Sequence, residues 1–339
     1  MPKIKKATIY DIATQTKISA STVAAVLNGS WKKRRIAEKT ALLIKKVARK
    51  KGYSINLQAR GLRKSKSGLI GMIVPMLDNR FFSSLAESFE ALARAEGLYP
   101  VVVSTLRNPQ SERDTVEALI SHNIEALFLA GATDPDSLSD ICKRAGVKHV
   151  NVDLPGTKAL SVISDNFNGA KDLSTKIIEN VGANQVTRSF HFIGGIASDH
   201  NTLRRIEGFK EALKNCGLKV VDDQIHACGY DATLAEAAVR SLYLELGGLP
   251  SGLFVNSTIS FEGVVRFLKT LPVEEVCNCS IGCFDWDPYI ELLHFPVMMI
   301  KQDVGQMINE AYRLLGSKKQ IGENTHLIPT IFIPAAIAN

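Results

Sequence analysis

The sequence predicts an all-α helix-turn-helix head followed by an α/β body of two doubly wound parallel-sheet lobes. Three observations carry that expectation. Residues 1–66 hold 18 Lys and Arg against two acids, Asp11 and Glu38, a net of +16, whereas the remainder holds 23 against 32, a net of −9. Near the start, apolar residues recur at helical spacing in two short runs about a turn apart. From residue 68 onward, continuous apolar runs alternate with amphipathic stretches, and the alternation restarts near 165–168.

With 339 residues, 45% hydrophobic and 22% charged, the chain can form two or three domains with substantial cores. No apolar run approaches the ~18–20 residues that span a bilayer. The segment MPKIKKATIYDIA is basic but lacks the apolar region of a secretory signal, so a cytoplasmic location without a membrane partner is expected. Cys142, Cys216, Cys228, Cys277, Cys279 and Cys283 are scattered, which reads as reduced thiols. Three of them cluster, but without C-x-x-C spacing or an evident fourth ligand. Neither a metal nor another cofactor is expected.

In the head, residues 1–55, Ile9, Ile12 and Ala13 mark a first helix over 9–16 with Thr8 as its N-cap. Ser19 caps a second over 20–27, with Val23, Val26 and Leu27 inward, and Asn28-Gly29 ends it. A third, over 37–51, buries Leu43, Ile44, Val47 and Ala48 and turns Lys39, Lys45, Lys46, Arg49, Lys50 and Lys51 outward. The first two form a helix-turn-helix, whose second helix presents its N-terminal residues to base edges in a major groove. The +16 charge supplies the phosphate-seeking footprint, so double-stranded DNA is the expected partner. Residues 56–67 read as a hinge and linker with a helix-capable stretch, Asn56–Leu62. Leu62 is either a minor-groove wedge or a linker residue packed on the body.

The body, residues 68–339, reads as strand 68–75, helix 82–96, strand 99–104, helix 112–122, strand 126–132, helix 137–146 and strand 148–153. After 162–170 it begins again, with helix 171–181, strand 189–195 and helix 205–215. Repeating strand–helix units with continuous apolar strands mean parallel sheets covered by helices. The first lobe is expected at about 68–167 plus 300–326, the second at about 168–299 plus 327–339. Ligands of such sheets lie at the carboxyl ends of strands. That rule selects Asp78, Phe81 and Phe82, Asp153, Asp165-Asn166, Arg205, Asp285-Trp286 and Gln302. Carboxylates accept sugar hydroxyls, arginine grips vicinal oxygens and aromatics cover a ring face. Singly, each such acid reads equally as a cap or turn residue, and each phenylalanine as core; together, at equivalent strand ends, they outline a cleft.

Several segments carry a resemblance. TIYDIATQTKISASTVAAVLNGS, GYSINLQARGLR and GLIGMIVPMLDNRFFSSLAESFEALARAEG resemble the LacI/GalR-type transcription regulators, in register along the whole chain. The resemblance implies a periplasmic-binding-protein-like body and a hinge helix containing Asn56 and Ala59, with Leu62 as the wedge. With the helix positions above, the expected DNA contacts are Thr8, Ser19, Ala20, Ser21, Thr22, Ala25, Asn28, Asn56, Ala59 and Leu62. HFIGG followed by RRIEGFKEAL implies that Arg205 holds the effector; SIGCFDWDPYIELLHFP implies that Asp285 contacts it; MMIKQD places Gln302 at the lobe crossover. LFVNSTISFEGVVRFL departs from the family's A-N-D-x-x-A-x-G, leaving Asn256 or Ser257 as the contact. Ile55 replaces a common proline, and Ala25 is small for a base-reading position. The long basic connector NGSWKKRRIAEKT is similar to that of the fructose and sucrose repressor branch.

The implied function is a homodimeric repressor of carbohydrate-use genes on a palindromic operator, responding to a sugar or sugar phosphate between the lobes. A purine-like corepressor or a global role is the rival reading, and a sugar carrier the remote one. The sequence contains no G-x-G-x-x-G, phosphate loop, G-x-S-x-G or H-E-x-x-H, so an enzyme is not expected.

Overall fold

The computed structural model describes residues 7–53, 67–181, 189–316 and 324–335. The chain divides into two units, 1–68 and 69–339. The first contains α1 (Ile9–Thr16), α2 (Ala20–Leu27) and α3 (Glu38–Lys50). Thr8 and Asp11 form a reciprocal capping box, the Asp11 carboxylate accepting the Thr8 N–H at 2.7 Å. Ser19 Oγ accepts from Thr22 N–H at 3.3 Å. Ile12, Val23, Val26, Ala41, Ile44 and Ala48 form the core, against which Trp31, Ile36 and Tyr53 rest.

The expected inner stripe of α3 is corrected at one position. Leu43 is 47% exposed, and Ala41 occupies the core in its place. The adjacent pair Leu42-Leu43 permits more than one helical phase. The phase that buries Ile44 and Ala48 also buries Ala41, three residues before Ile44, and turns both leucines outward.

The second unit contains two six-stranded sheets. In the first, β1 (Leu69–Val74), β2 (Tyr99–Ser104), β3 (Ala126–Ala130), β4 (Lys148–Val152) and β5 (Ser161–Ser164) are joined by β11 (Thr325–Ile328), all parallel. One face is covered by α4 (Arg80–Ala95) and α12 (Val304–Gly316). The other carries α5 (Pro109–Ser121) and α6 (Pro135–Arg144). The second sheet contains β6 (Phe190–Ile193), β7 (Ile225–His226), β8 (Gly252–Val255), β9 (Ser280–Phe284), β10 (Val297–Gln302) and β12 (Thr330–Ile333). It lies between α7 (Asn166–Val181) with α8 (His200–Asn215) and α9 (Ala232–Leu246) with α10 (Thr258–Leu268) and the short α11 (Val273–Cys277). A Cβ at Gly208 would strike the Phe167 carbonyl, so glycine there lets α8 lie directly on α7. No helix among the described residues is long and apolar enough to cross a membrane.

Several helices start earlier than their apolar periodicity indicates, because polar caps and not apolar residues set the first turn. Asn79 accepts from the N–H groups of Phe81 and Phe82, starting α4 at Arg80. Asp199 accepts from Thr202 N–H, starting α8 at His200 and placing Arg205 in its second turn.

The chain passes between the sheets at Asp165, Asp303 and Pro329. The lobe boundaries therefore differ from expectation: β10 stays in the second sheet through Gln302, and β11 stays in the first through Ile328. Each passage leaves a strand at its carboxyl end, so these ends of the two sheets face each other. A strand crossing directly, as β12 does after β11, must then enter against the local direction, and β12 is antiparallel to β10.

Candidate functional site

The cleft between the sheets is built around two acids in corresponding places. Asp153 follows β4 and Asp285 follows β9, and both adopt left-handed backbone, with φ of 73° and 75°. Aspartate tolerates this conformation better than most residues. Both are buried, at 6% and 9% exposure.

Arg205, 3% exposed, lies between them from the second lobe. Its Nε donates to Asn166 Oδ1 at 2.8 Å and its Nη1 to the Asn256 carbonyl at 2.6 Å. Its guanidinium stacks 3.7 Å from the centre of the Phe284 ring. The network continues outward. Asn166 Nδ2 donates to Asn201 Oδ1 at 3.0 Å, and Asn201 Nδ2 donates to Asp153 Oδ1 at 2.9 Å, joining the lobes. On the other side, Gln302 Nε2 donates to Asp285, and Ser164 Oγ donates to Gln302 Oε1.

Burial, then the neighbouring Asp199, push the Asp153 carboxyl up to about 7; Arg107 and Arg205 oppose the shift and Asp285 adds to it. Burial likewise raises Asp285, against Arg205 and the Gln302 bond. The Tyr230 hydroxyl donates to Asp199 at 3.0 Å, and burial holds it at about 12. Asn256 is fully buried, and neither atom of its amide makes a well-formed hydrogen bond, although Tyr230 lies beside it. A buried amide in that state is suited to a ligand's hydroxyl.

Of the expected effector residues, Asp153, Arg205, Asn256, Asp285 and Gln302 converge here. The others have different places. Asp165 caps α7 through Asn168 N–H at 3.1 Å, and Ser257 caps α10 through Ser260 N–H at 3.3 Å. Phe82 is buried in the first lobe's core, edge-on to the half-buried Phe81. Asp78 lines the outer mouth, an open cavity of about 610 Å³ also bordered by Arg80, Glu262, Arg266 and Lys269. There Arg80 bridges the lobes to Asp287 at 2.6 Å. Asp153, Arg205, Asn256, Asp285 and Gln302 do not line that cavity; the convergent polar groups lie at the two acids. Among the described residues no group of three or more metal-binding side chains occurs.

Asn201, Arg107 and Tyr230 escaped sequence reading. Arg107 reaches from the first lobe to within 5.3 Å of the Tyr230 ring and 5.9 Å of Phe82, and its Nε is buried without a partner. The strand-end rule, applied to β2 and β7, points to Arg107 and Tyr230.

In the head, the Ser19, Ser21 and Thr22 hydroxyls cluster at the start of α2, with Ser19 Oγ 3.1 and 2.8 Å from the other two. Ala20 is half-buried beside them, and Asn28 is the exposed C-cap. Against expectation Ala25 is only 4% exposed, because the chain after α2 folds back onto it, Ser30 N–H donating to its carbonyl. Asn56, Ala59 and Leu62 lie outside the described residues.

A family model described as bacterial regulatory proteins, lacI family, matches residues 8–56, and one described as a periplasmic binding protein domain matches residues 70–290. The chain is 50% identical over 177 residues to the ribitol operon repressor of Klebsiella aerogenes, covering 52% of this chain and 66% of that protein, just under two thirds of its length. It is 27% identical over 318 residues to the sucrose operon repressor of Klebsiella pneumoniae, covering 92% of each. The solved lac repressor dimer bound to operator and the anti-inducer ONPF aligns with a TM-score of 0.81 at 20% identity, covering 98% of each chain. At that identity the likeness concerns the fold.

Proposed function

We propose, since this chain belongs to the lacI family of bacterial regulatory proteins, that it represses carbohydrate-use genes as a homodimer on a palindromic operator and responds to a polyhydroxylated ligand between its lobes. The observation that carries the effector reading is the buried set Asp153, Asn256 and Asp285 at facing strand ends, with Arg205 brought to them by α8. Acceptors and donors alternate there, as a ligand with several hydroxyls requires. The named repressors of ribitol and sucrose operons support the same class.

The charge of the cleft narrows the ligand. Asp153, Asp199 and Asp285 face Arg107 and Arg205; even with Asp153 only partly ionised near neutral pH, the cleft holds no surplus of positive charge to receive a phosphate dianion. An uncharged sugar or sugar alcohol needs no such surplus.

The route from ligand to head begins at the strand crossings. A hydroxyl donated to Asp285 competes with the Gln302 amide, and Gln302 also accepts from Ser164. Gln302 pairs with Thr330, and Ser164 pairs with Ile328. Binding therefore acts on residues at all three passages and changes the angle between lobes. The ligand alters DNA affinity only as far as it prefers one angle.

Calorimetry of the full chain against pentoses, pentitols, hexoses and their phosphates tests this reading. At least one uncharged compound should bind, and its phosphate should bind at least about tenfold more weakly, roughly 1.4 kcal/mol. Binding of phosphates alone would remove the uncharged-ligand reading, and binding of none would remove the sugar class.

A further inference from the structure

Residues 30–36 join α2 to α3 through a hydrogen-bonded turn. Ser30 donates to the Ala25 carbonyl through N–H at 3.0 Å and Oγ at 3.2 Å. Arg34 N–H reaches the Ser30 carbonyl at 3.1 Å, and Ile36 N–H closes onto the Trp31 carbonyl at 3.0 Å. Trp31 and Ile36 both rest on the head's core, so the turn is pinned at each end. Arg35 has a φ of 53°, a left-handed conformation that a non-glycine residue keeps only where the surroundings impose it.

Between the two anchors stand Lys32, Lys33, Arg34 and Arg35, all exposed. Among the described residues none of them meets a carboxylate. The Lys32 ammonium lies 5.6 Å from the Trp31 ring centre, with Lys45 at 5.9 Å. Solvating lysines are ordinarily interspersed with acids. A fixed turn that aligns four unpaired cations is a different object, self-repelling until it meets an anion.

The second helix gives that anion a place. Its exposed start offers the short hydroxyls of Ser19, Ser21 and Thr22, and Ala25 is buried, so the described part of α2 has no long side chain for bidentate base contact. Eight residues of helix are about 12 Å long, and a major groove is about 12 Å wide. With the start of α2 at the base edges, cations just beyond its other end stand at the groove wall, where phosphates run.

We propose that the 31–36 turn is a phosphate clamp, in which Lys32, Lys33, Arg34 and Arg35 hold the backbone of duplex DNA flanking the groove that α2 enters. The proposal rests on the reading of the head as a DNA-binding unit. Phosphate contacts position without specifying sequence, so the clamp supplies affinity that the short-chained α2 lacks.

The test is the salt dependence of binding by the full chain to a mixed-sequence DNA duplex. Each phosphate contact contributes about 0.9 to the slope of log affinity against log salt. The variant Lys32→Gln/Lys33→Gln/Arg34→Gln/Arg35→Gln should flatten that slope by about 3 to 4 per bound head, with unchanged helical circular dichroism. The charge-preserving variant Lys32→Arg/Lys33→Arg/Arg34→Lys/Arg35→Lys should keep the wild-type slope. An unchanged slope in the first variant, or an equal flattening in the second, overturns the clamp and leaves the DNA-binding head intact. Failure of the unmodified chain to bind any duplex overturns both readings.

Discussion

In the head, every charged residue described is exposed, and Lys32, Lys33, Arg34 and Arg35 pair with no acid among the described residues. In the body, Arg94 pairs with Glu90 at 2.6 Å, Arg240 with Glu236 at 3.0 Å, and Arg266 with Glu262, each one helical turn away. The body also buries charge outright, at Asp153, Arg205 and Asp285. Exposed like charges add little to folding and act on something outside the molecule. Buried charges are costly and hold only while their bonding is complete. Charge mutations in the head should therefore change binding and spare stability, whereas those in the cleft should change both.

The largest test is Arg205→Ala. It removes two hydrogen bonds, the main counter-charge to Asp285 and, after Arg107, the second counter-charge to Asp153. The body should lose about 3–5 kcal/mol in thermal or denaturant unfolding, and the effector response should vanish. Binding to mixed-sequence duplex should persist wherever the chain remains folded. An equal loss of that binding would break the contrast between regions.

Asp153→Asn should act in the opposite sense on stability. The unfolded carboxyl releases its proton near 3.8, the folded one near 7. Below the lower value both states are protonated and the site is neutral in stability; through the interval the unfolded state is increasingly favoured; above the upper value the full penalty is present. Asparagine removes the penalty, tolerates the left-handed backbone and still accepts from Asn201. The variant should be more stable by about 2–4 kcal/mol at roughly pH 8, with the gain disappearing towards roughly pH 4. Its affinity for the ligand should fall. A pH-independent difference in denaturation midpoints would contradict this assignment.

Ala25→Leu tests the head as a packed object. Overfilling that position should cost about 1–3 kcal/mol, read as loss of head structure by amide exchange with the body unchanged. An unperturbed head with altered base preference would instead restore Ala25 as a reading position. The smallest effect belongs to Arg80→Ala, since that side chain is 50% exposed. Stability should change by no more than about 1 kcal/mol, while the cleft opens more often and ligand association quickens in stopped flow.

The sequence made much of this visible. Thr8 and Ser19 announce their helices because a capping hydroxyl followed by apolar spacing is a local signal. Asp153 and Asp285 were legible as strand-end acids, though their matching left-handed conformations were not. Asn166 and Asn201 matter because α7 and α8 bring positions 35 residues apart to 3.0 Å, a relation that no local pattern contains. Leu43 was misplaced because a leucine pair leaves the helical phase open, whereas Ala25 is covered by the turn that follows α2; tertiary packing decides both.

The three passages between lobes also govern the order in which this chain can fold during synthesis. The head has its three helices by residue 50. The first sheet, begun at Leu69, waits for α12 and then for β11, completed at Ile328. The second waits for β12, which ends at Ile333. Domains mature as units, N-terminal first. A ribosome therefore releases a finished DNA-facing module long before either half of its sensor is whole, and the sensor assembles in one late step.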